Sequence, residues 1–232
     1  MDPIPEEWER ALAVVAHPDD LEYGVASAVG RWTATGKEVV YVLATRGEAG
    51  IDGMDPRECA RVRSDEEVAS AAIVGVHDVR FLDHADGGVE YGLALRRAIA
   101  AEIRRVRPQV VLTMNFDLTW GGVAVNHADH RAVGLATLDA CRDAANRWLH
   151  PDLGEPWQGV EAAYVAAAPD PTHFVDVSDW LHKGVESLEA HRAYIDGLGG
   201  DFDPDLFLRS SAAAAGERAG CELAVTFRHY AV

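Results

Sequence analysis

The sequence predicts a single α/β domain spanning residues 1–232, with a parallel sheet that carries helices on both faces. Short apolar runs rich in Val and Ile alternate along the chain with longer stretches of helical spacing. The runs are too short and too continuous for amphipathic helices, which identifies them as buried strands. Alternating strands and helices favour a parallel sheet with right-handed crossovers, whose ligands bind beyond the carboxyl ends of the strands.

Each element can be placed in chain order. Buried strands are predicted at Leu12–Ala16, Val39–Leu43, Val79–Leu82, Val110–Met114 and Ala162–Ala167. Helices are predicted at roughly Leu21–Thr35, Pro56–Val74, Tyr91–Val106 and His127–Leu149. From about Asp170 the pattern weakens and indicates a helix around Trp180–Ile195, a loop at Gly197–Asp205 and a helix end at Ala212–Ala215. No repeat or linker divides the chain, and its 48% hydrophobic content suffices for one core.

The composition excludes several classes of partner. The formal net charge of −17 argues against binding to nucleic acid or to anionic lipid. No apolar run approaches the ~18 residues of a membrane-spanning helix, and the first residues lack the features of a signal peptide. We therefore expect a cytoplasmic protein. The cysteines at 59, 141 and 221 form no C-x-x-C pair, so neither a disulfide framework nor a thiolate metal site is expected.

The first chemical motif is His17-Pro-Asp-Asp20, directly after the first predicted strand. It places one imidazole and two carboxylates at the edge of the sheet where ligands bind. Asp19 and Asp20 fall at the start of the next helix, so their side chains can point in different directions. An Asp at a helix start is often only a cap, worth on the order of 1 kcal/mol. Capping explains one Asp, but it does not explain His17 and the second Asp.

The second motif, Asn126-His-Ala-Asp-His130, follows the fourth strand and a long polar loop at Asn115–Asn126. With Asn126 as N-cap, His127 and His130 lie on the same face of the first helical turn. A single exposed His is usually only solvated. Because both motifs lie at one edge of the sheet, two His and one Asp can converge there as in a catalytic zinc site, with the fourth position left for water.

The residues Ala16-His-Pro-Asp-Asp20 and His127-Ala-Asp-His130 together resemble the PIG-L/LmbE family of zinc-dependent N-deacetylases. The likeness extends through further segments over about four-fifths of the chain: Thr45-Arg-Gly-Glu48, Arg63-x-x-Glu66, Ala71–Gly75 and Asp86-Gly87, and more weakly Lys183 and His191. It implies a Rossmann-like sheet. The chain differs where Ala128 replaces the family's Pro, and where Glu22 lies one position after the usual acidic residue, so the roles of Glu22 and His191 stay open.

The resemblance also implies a role for each residue of the two motifs. It assigns His17, Asp20 and His130 to a zinc ion, exchangeable for another divalent metal. It gives Asp19 the role of general base and His127 that of oxyanion donor or acid. Asp129 would then orient His127 and stabilise its charge.

Three further residues are candidates for substrate binding. Arg63 resembles a substrate-contacting arginine of the family, although Glu66 and Glu67 at i+3 and i+4 could make it an ordinary helix ion pair. Glu48 could reach sugar hydroxyls or simply be solvated. Trp120 could stack on a sugar ring or anchor its loop.

The predicted function is hydrolysis of an N-acetyl group on an N-acetylglucosamine-type glycoside or conjugate, a small-molecule partner. An amidase that cleaves a larger acyl group with the same zinc machinery stays open. So does a non-catalytic metal-binding protein, although such a protein would not need Asp19 and His127. A nucleotide-binding module is disfavoured because no G-x-G-x-x-G follows the first strand.

Overall fold

The computed structural model describes residues 1–200 and 202–232. An eight-stranded sheet contains β1 Asp2–Pro3, β2 Arg10–Val15, β3 Glu38–Leu43, β4 Asp78–Phe81, β5 Val110–Met114, β8 Ala162–Ala166, β9 His173–Asp176 and β10 Ala224–Ala231. A separate hairpin contains β6 Thr119–Trp120 and β7 Ala124–Val125. The helices are α1 Asp20–Gly24, α2 Ala26–Ala34, α3 Pro56–Ile73, α4 Leu93–Val106, α5 Ala128–Ala145, α6 Leu181–Glu189, α7 Arg192–Leu198 and α8 Pro204–Ala219, with a 3-10 turn at Pro151–Leu153.

The strand order in the sheet is β1-β9-β10-β8-β5-β2-β3-β4. Neighbouring strands from β8 to β4 in this order are parallel, whereas β10 runs antiparallel to both β8 and β9. The chain leaves β2 towards β3 and β4, then returns to β5 on the other side of β2. This reversal makes the carboxyl ends of β2 and β5 a topological switch point, which is where open α/β sheets bind ligands.

Helices cover both faces of the sheet, as the sequence predicts. Alternate residues of β2 show the division: Ala11, Ala13 and Val15 belong to one hydrophobic cluster, and Leu12 and Val14 to the other. The first cluster includes buried residues of α1, α2, α6 and α8, while α4 and α5 supply the second. None of the helices in the described part of the chain combines the length and apolarity that a membrane crossing requires.

The five predicted strands and the helices between them are confirmed as elements, with the first predicted helix divided into α1 and α2. The expected burial is wrong for β4, because it lies at the edge of the sheet and has no buried residue. The C-terminal third differs more. The prediction of a helix end at Ala212–Ala215 is wrong, because these residues lie inside α8. The helix expected around Trp180–Ile195 is divided into α6 and α7, and strands β9 and β10 were not predicted. The expected loop is shorter and joins α7 to α8; its Asp201 lies outside the described residues.

Candidate metal and active site

The turn after β2 separates the two neighbouring carboxylates. Asp19 has a φ of 97° and a ψ of −24°, a left-handed conformation that an L-residue adopts at a cost of about 1–3 kcal/mol. It is the N-cap residue of α1, but its side chain makes no capping hydrogen bond. Its side chain therefore serves another purpose than helix capping. Asp20 begins the helix, and its Oδ2 accepts the backbone N–H groups of Ala16 at 3.0 Å and His17 at 2.9 Å.

Three side-chain atoms, from the turn after β2, from α1 and from α5, face one another at the switch point. His17 Nδ1 lies 3.1 Å from His130 Nε2, and His130 Nε2 lies 3.1 Å from Asp20 Oδ1. His17, Asp20 and His130 each offer one ligand atom, all within 4.8 Å of one another. The structure thus brings together the three residues that the resemblance assigns to the metal.

Each imidazole has an inner ring nitrogen that faces the other two side chains and an outer one that points away from them. The outer nitrogens of both rings face hydrogen-bond acceptors. His17 Nε2 lies 3.0 Å from Asp86 Oδ1 and 3.3 Å from Asp129 Oδ2. His130 Nδ1 lies 2.9 Å from Asn126 Oδ1, and the amide orientation is fixed because Asn126 Nδ2 donates to two backbone carbonyls. The ring protons of neutral imidazoles are therefore on the outer nitrogens, which leaves lone pairs on the inner ones.

Two imidazole lone pairs and one carboxylate oxygen facing one point repel each other unless a proton or a metal cation lies between them. The electrostatics agree with this reading. Burial alone would lower the pKa of His17, but hydrogen bonds to Asp129 and Asp86 and the charge of Asp20 raise it to about 10. The same negative field favours a metal cation. This mixed nitrogen and oxygen donor set, without thiolate, fits zinc or a related divalent ion.

Asp19 lies beside this donor set and contacts a different group. Its Oδ2 is 3.1 Å from Nη2 of Arg63, a buried residue with 2% of its surface exposed. Arg63 also donates to the backbone carbonyls of Gly47 and Pro18, and its guanidinium stacks on the ring of Tyr194. Burial raises the pKa of Asp19 to about 6, although the charge of Arg63 opposes that rise. A carboxylate with a pKa near neutrality is suited to proton transfer.

The alternative of a helix ion pair for Arg63 is wrong, because Asp19 is its carboxylate partner. Glu66 accepts the backbone N–H of Ala193 at 2.6 Å, and Glu67 accepts that of Asp19 at 3.2 Å. Arg63 also lines the cavity next to the donor set. A contact between Arg63 and a substrate stays a prediction.

His127 is the N-cap residue of α5, one position later than the sequence predicts. Its Nδ1 accepts the backbone N–H of Asp129 at 3.2 Å, so Nε2 carries the ring proton. Burial and the neighbouring His17 lower the pKa of His127, which keeps the ring neutral. His127 lines the cavity and can donate a proton or hydrogen bond from Nε2.

Asp129 has a different partner from the one that the resemblance implies. Its Oδ2 lies 3.3 Å from His17 Nε2 and accepts the N–H of Gly87, while Oδ1 accepts the N–H of Val89. The carboxylate also lies near His127, because His17, His127 and Asp129 each offer one ligand atom within 4.8 Å of the others. The charge of Asp129 acts to raise the pKa of His127, but burial and His17 outweigh it. Through its contact with His17, Asp129 orients a proposed metal ligand.

The cavity beside the donor set has a volume of about 410 Å³. Trp120 lines it and contacts His130 edge to face, with ring centroids 5.8 Å apart. Glu48 is not among the lining residues, because its carboxylate accepts the backbone N–H of Asp86 at 2.8 Å. The proposed sugar contact of Glu48 thus has no support in this geometry, and its side chain orders the loop that carries Asp86.

Several residues at the cavity were not singled out from the sequence as site residues. Asp86 belongs to a short motif of the resemblance, which could have identified it. Tyr23, Met114, Tyr194 and Leu198 also line the cavity. Their types are common in hydrophobic cores, and nothing in their spacing distinguishes them from core residues.

Comparison with known proteins gives consistent matches. The family model PIG-L, described as GlcNAc-PI de-N-acetylase, matches residues 12–141. A diacetylchitobiose deacetylase of Thermococcus kodakarensis is 31% identical over 190 residues, which cover 80% of this chain and 70% of that protein. A 1D-myo-inositol 2-acetamido-2-deoxy-alpha-D-glucopyranoside deacetylase of Kineococcus radiotolerans is 32% identical over 199 residues, or 71% of this chain but only 54% of that longer protein.

The fold has a close counterpart among solved structures. The N,N'-diacetylchitobiose deacetylase from Pyrococcus horikoshii superposes with a TM-score of 0.87 at 24% identity, covering 97% of this chain and 85% of that one. Fold, site and relatives define the class of protein, a hydrolase of amide bonds built on an α/β fold. Within that class the chain belongs to the PIG-L family, whose model matches more than half of it.

The first prediction concerns the close contact between Gly47 and the guanidinium of Arg63. Gly47 has a φ of 64°, and a Cβ added there would overlap the guanidinium of Arg63. We expect Gly47→Ala to lower the free energy of unfolding by about 1–3 kcal/mol, because the side chain both strains the backbone and displaces Arg63. Urea-induced unfolding measures the change.

Gly53, which lies in the same connection between β3 and α3, provides the matched control. It has an ordinary φ, and a Cβ added there meets nothing within 4 Å. Gly53→Ala should change the free energy of unfolding by no more than about 0.5 kcal/mol. Equal effects of the two substitutions would show that Arg63 does not need the space left by Gly47.

Proposed function

We propose that this chain removes the N-acetyl group from an N-acetylglucosamine-type glycoside or conjugate. The observation that carries the proposal is the arrangement of three lone-pair donors around one point, with the separate carboxylate of Asp19 beside them. His17, Asp20 and His130 would hold a divalent cation, for which we propose zinc, exchangeable for related metals. A protein that only stores metal has no need of a base or of a neutral His donor next to its ligands.

The chain's own groups supply the remaining steps. A bound zinc ion contributes Lewis acidity at the amide carbonyl and lowers the pKa of water in its vicinity. Asp19 accepts the proton of the attacking water as the new bond to the carbonyl carbon forms. His127 Nε2–H donates a hydrogen bond to the oxyanion that develops on the carbonyl oxygen. When the carbon–nitrogen bond breaks, Asp19 returns the proton to the amine, and acetate and a free amino sugar leave.

Arg63 supports this role of Asp19 in two ways. Its guanidinium stabilises the ionised carboxylate and so opposes the rise in the pKa of Asp19 that burial causes. Its bonds to the carbonyls of Gly47 and Pro18 also fix the direction of the guanidinium, and therefore that of the carboxylate. The base is thus kept both charged and oriented, as proton transfer requires.

An amino-sugar substrate is supported by the relatives and by the cavity. The two curated relatives are named as deacetylases of diacetylchitobiose and of a 2-acetamido-2-deoxy-glucopyranoside. A cavity of about 410 Å³ is large enough for a sugar ring, and Trp120 offers an aromatic wall for stacking. An amidase for a larger acyl group is the second candidate. The acidic surface argues against a nucleic-acid partner, and the cytoplasm stays our predicted compartment.

The first test is substrate turnover by the zinc-loaded protein. We expect release of a primary amine and acetate from diacetylchitobiose, from an N-acetylglucosaminyl inositol or from another N-acetylglucosaminide. The matched N-butanoyl compounds serve as controls and should react more slowly. Faster release from the longer acyl compounds would favour the second candidate, and no release from any amide would contradict the proposed hydrolysis.

The second test distinguishes the roles of the two neighbouring carboxylates by replacing each Asp in turn with Asn. Asp19→Asn keeps size and polarity but removes the basic group, so bound zinc should stay near one equivalent at the catalytic site while kcat falls by about 10²–10⁴-fold. In Asp20→Asn the amide oxygen accepts the N–H groups of Ala16 and His17 in place of Oδ2. The NH2 group then faces His130 and repels a cation. Zinc affinity and activity should then fall together. The anomalous peak between His17, Asp20 and His130 and kcat give the two readouts, and the opposite pattern of zinc retention would exchange the two roles.

The third test concerns His127, which both caps α5 and lines the cavity. Serine is a preferred N-cap residue but is too short to replace the Nε2–H donor. We expect His127→Ser to melt within a few degrees of the parent and to retain zinc, while kcat falls by about 10²–10³-fold as for a lost oxyanion donor. Unchanged kcat with normal stability would limit His127 to its capping role.

A further inference from the structure

A second cluster of ionisable side chains lies behind Asp19, away from the cavity. Glu22 of α1, Glu67 of α3 and His191 at the N-cap of α7 have 1%, 0% and 0% of their surfaces exposed. The proposed reaction uses none of them. Two carboxyl groups and an imidazole fully inside a domain must be neutralised there, because an isolated buried charge is very unfavourable.

The hydrogen bonds around the cluster leave its centre without a donor. Glu22 Oε1 accepts from Ser70 Oγ at 2.6 Å, and Glu67 Oε2 accepts from the backbone N–H of Asp19 at 3.2 Å. Among the described residues, Glu22 Oε2, Glu67 Oε1 and both ring nitrogens of His191 are buried without a hydrogen-bond partner. Leaving such atoms unsatisfied lowers stability, and more so for charged groups.

The distances inside the cluster are too long for hydrogen bonds and close to those between ligands of one metal ion. His191 Nε2 lies 3.6 Å from Glu22 Oε2 and 3.7 Å from Glu67 Oε2. Tetrahedral bonds of about 2.0–2.1 Å place neighbouring ligand atoms roughly 3.3–3.4 Å apart. All three residues offer a ligand atom within 4.8 Å of one another.

We propose that Glu22, Glu67 and His191 form a second, interior binding site for a divalent cation of the zinc type. Two carboxylates and one neutral imidazole neutralise the ion, and the ion gives a partner to Glu22 Oε2 and His191 Nε2, which otherwise lack one. Imidazole and carboxylate are ligands that zinc accepts together. The site joins α1, α3 and the start of α7, and through Glu67 it fixes the backbone N–H of Asp19.

The test is the number and the position of metal ions in the wild-type protein. We expect about two equivalents of zinc per chain after reconstitution and removal of loosely bound metal. Crystals should show an anomalous peak between Glu22, Glu67 and His191 and another between His17, Asp20 and His130. The measurement needs no variant, so it does not depend on whether a substituted core folds.

Three variants distinguish this site from the catalytic one. His191→Gln should retain only the ion between His17, Asp20 and His130, and His130→Ala should retain only the interior one. His182→Gln, at an exposed position of α6, should retain both. A single ion between His17, Asp20 and His130 would overturn the interior site and leave a protonated His191 between the two carboxylates. A single ion at the interior position would support it and contradict the proposed catalytic metal, and no ion at either position would overturn both.

Discussion

The left-handed backbone of Asp19 is the constraint on which the rest of the site depends. Two adjacent carboxylates in ordinary helical geometry would differ in direction by a fixed rotation of about 100°. The positive φ at Asp19 changes that relation, so Asp20 faces the imidazoles while Asp19 faces Arg63. Such strain persists only when the surroundings hold it. Here the holding contacts are Glu67 on the backbone N–H and Arg63 on the side chain.

Most of the fold and the centre of the site could be predicted from the sequence. The five predicted strands are short apolar runs whose neighbours in the chain are helices, so periodicity alone identifies them. The His17 motif follows directly on β2, and the His130 motif follows β5 after a long loop. The sheet topology brings their donors together, as the position of both motifs at one edge of the sheet predicts.

The rest depended on facts that a linear pattern does not contain. A shift of one residue in the start of α5 gave His127 the cap, and Asp129 contacts His17. Glu48 lies in a loop next to the site, but its carboxylate accepts the backbone N–H of Asp86 in the neighbouring loop. Strand β10 alternates less clearly because it is only partly buried, and it joins the sheet antiparallel through contacts distant in sequence. These details depend on packing between residues distant in sequence, which no single segment of the sequence determines.

The capping hydrogen bond of His127 has a consequence for coordination chemistry. With Nδ1 engaged by the helix backbone, this imidazole presents a proton to the cavity and no lone pair. It cannot become a fourth protein ligand without losing that cap. His127 would therefore stay a hydrogen-bond donor whichever divalent ion His17, Asp20 and His130 hold. The start of a helix thereby fixes the tautomer of a side chain that lines the cavity.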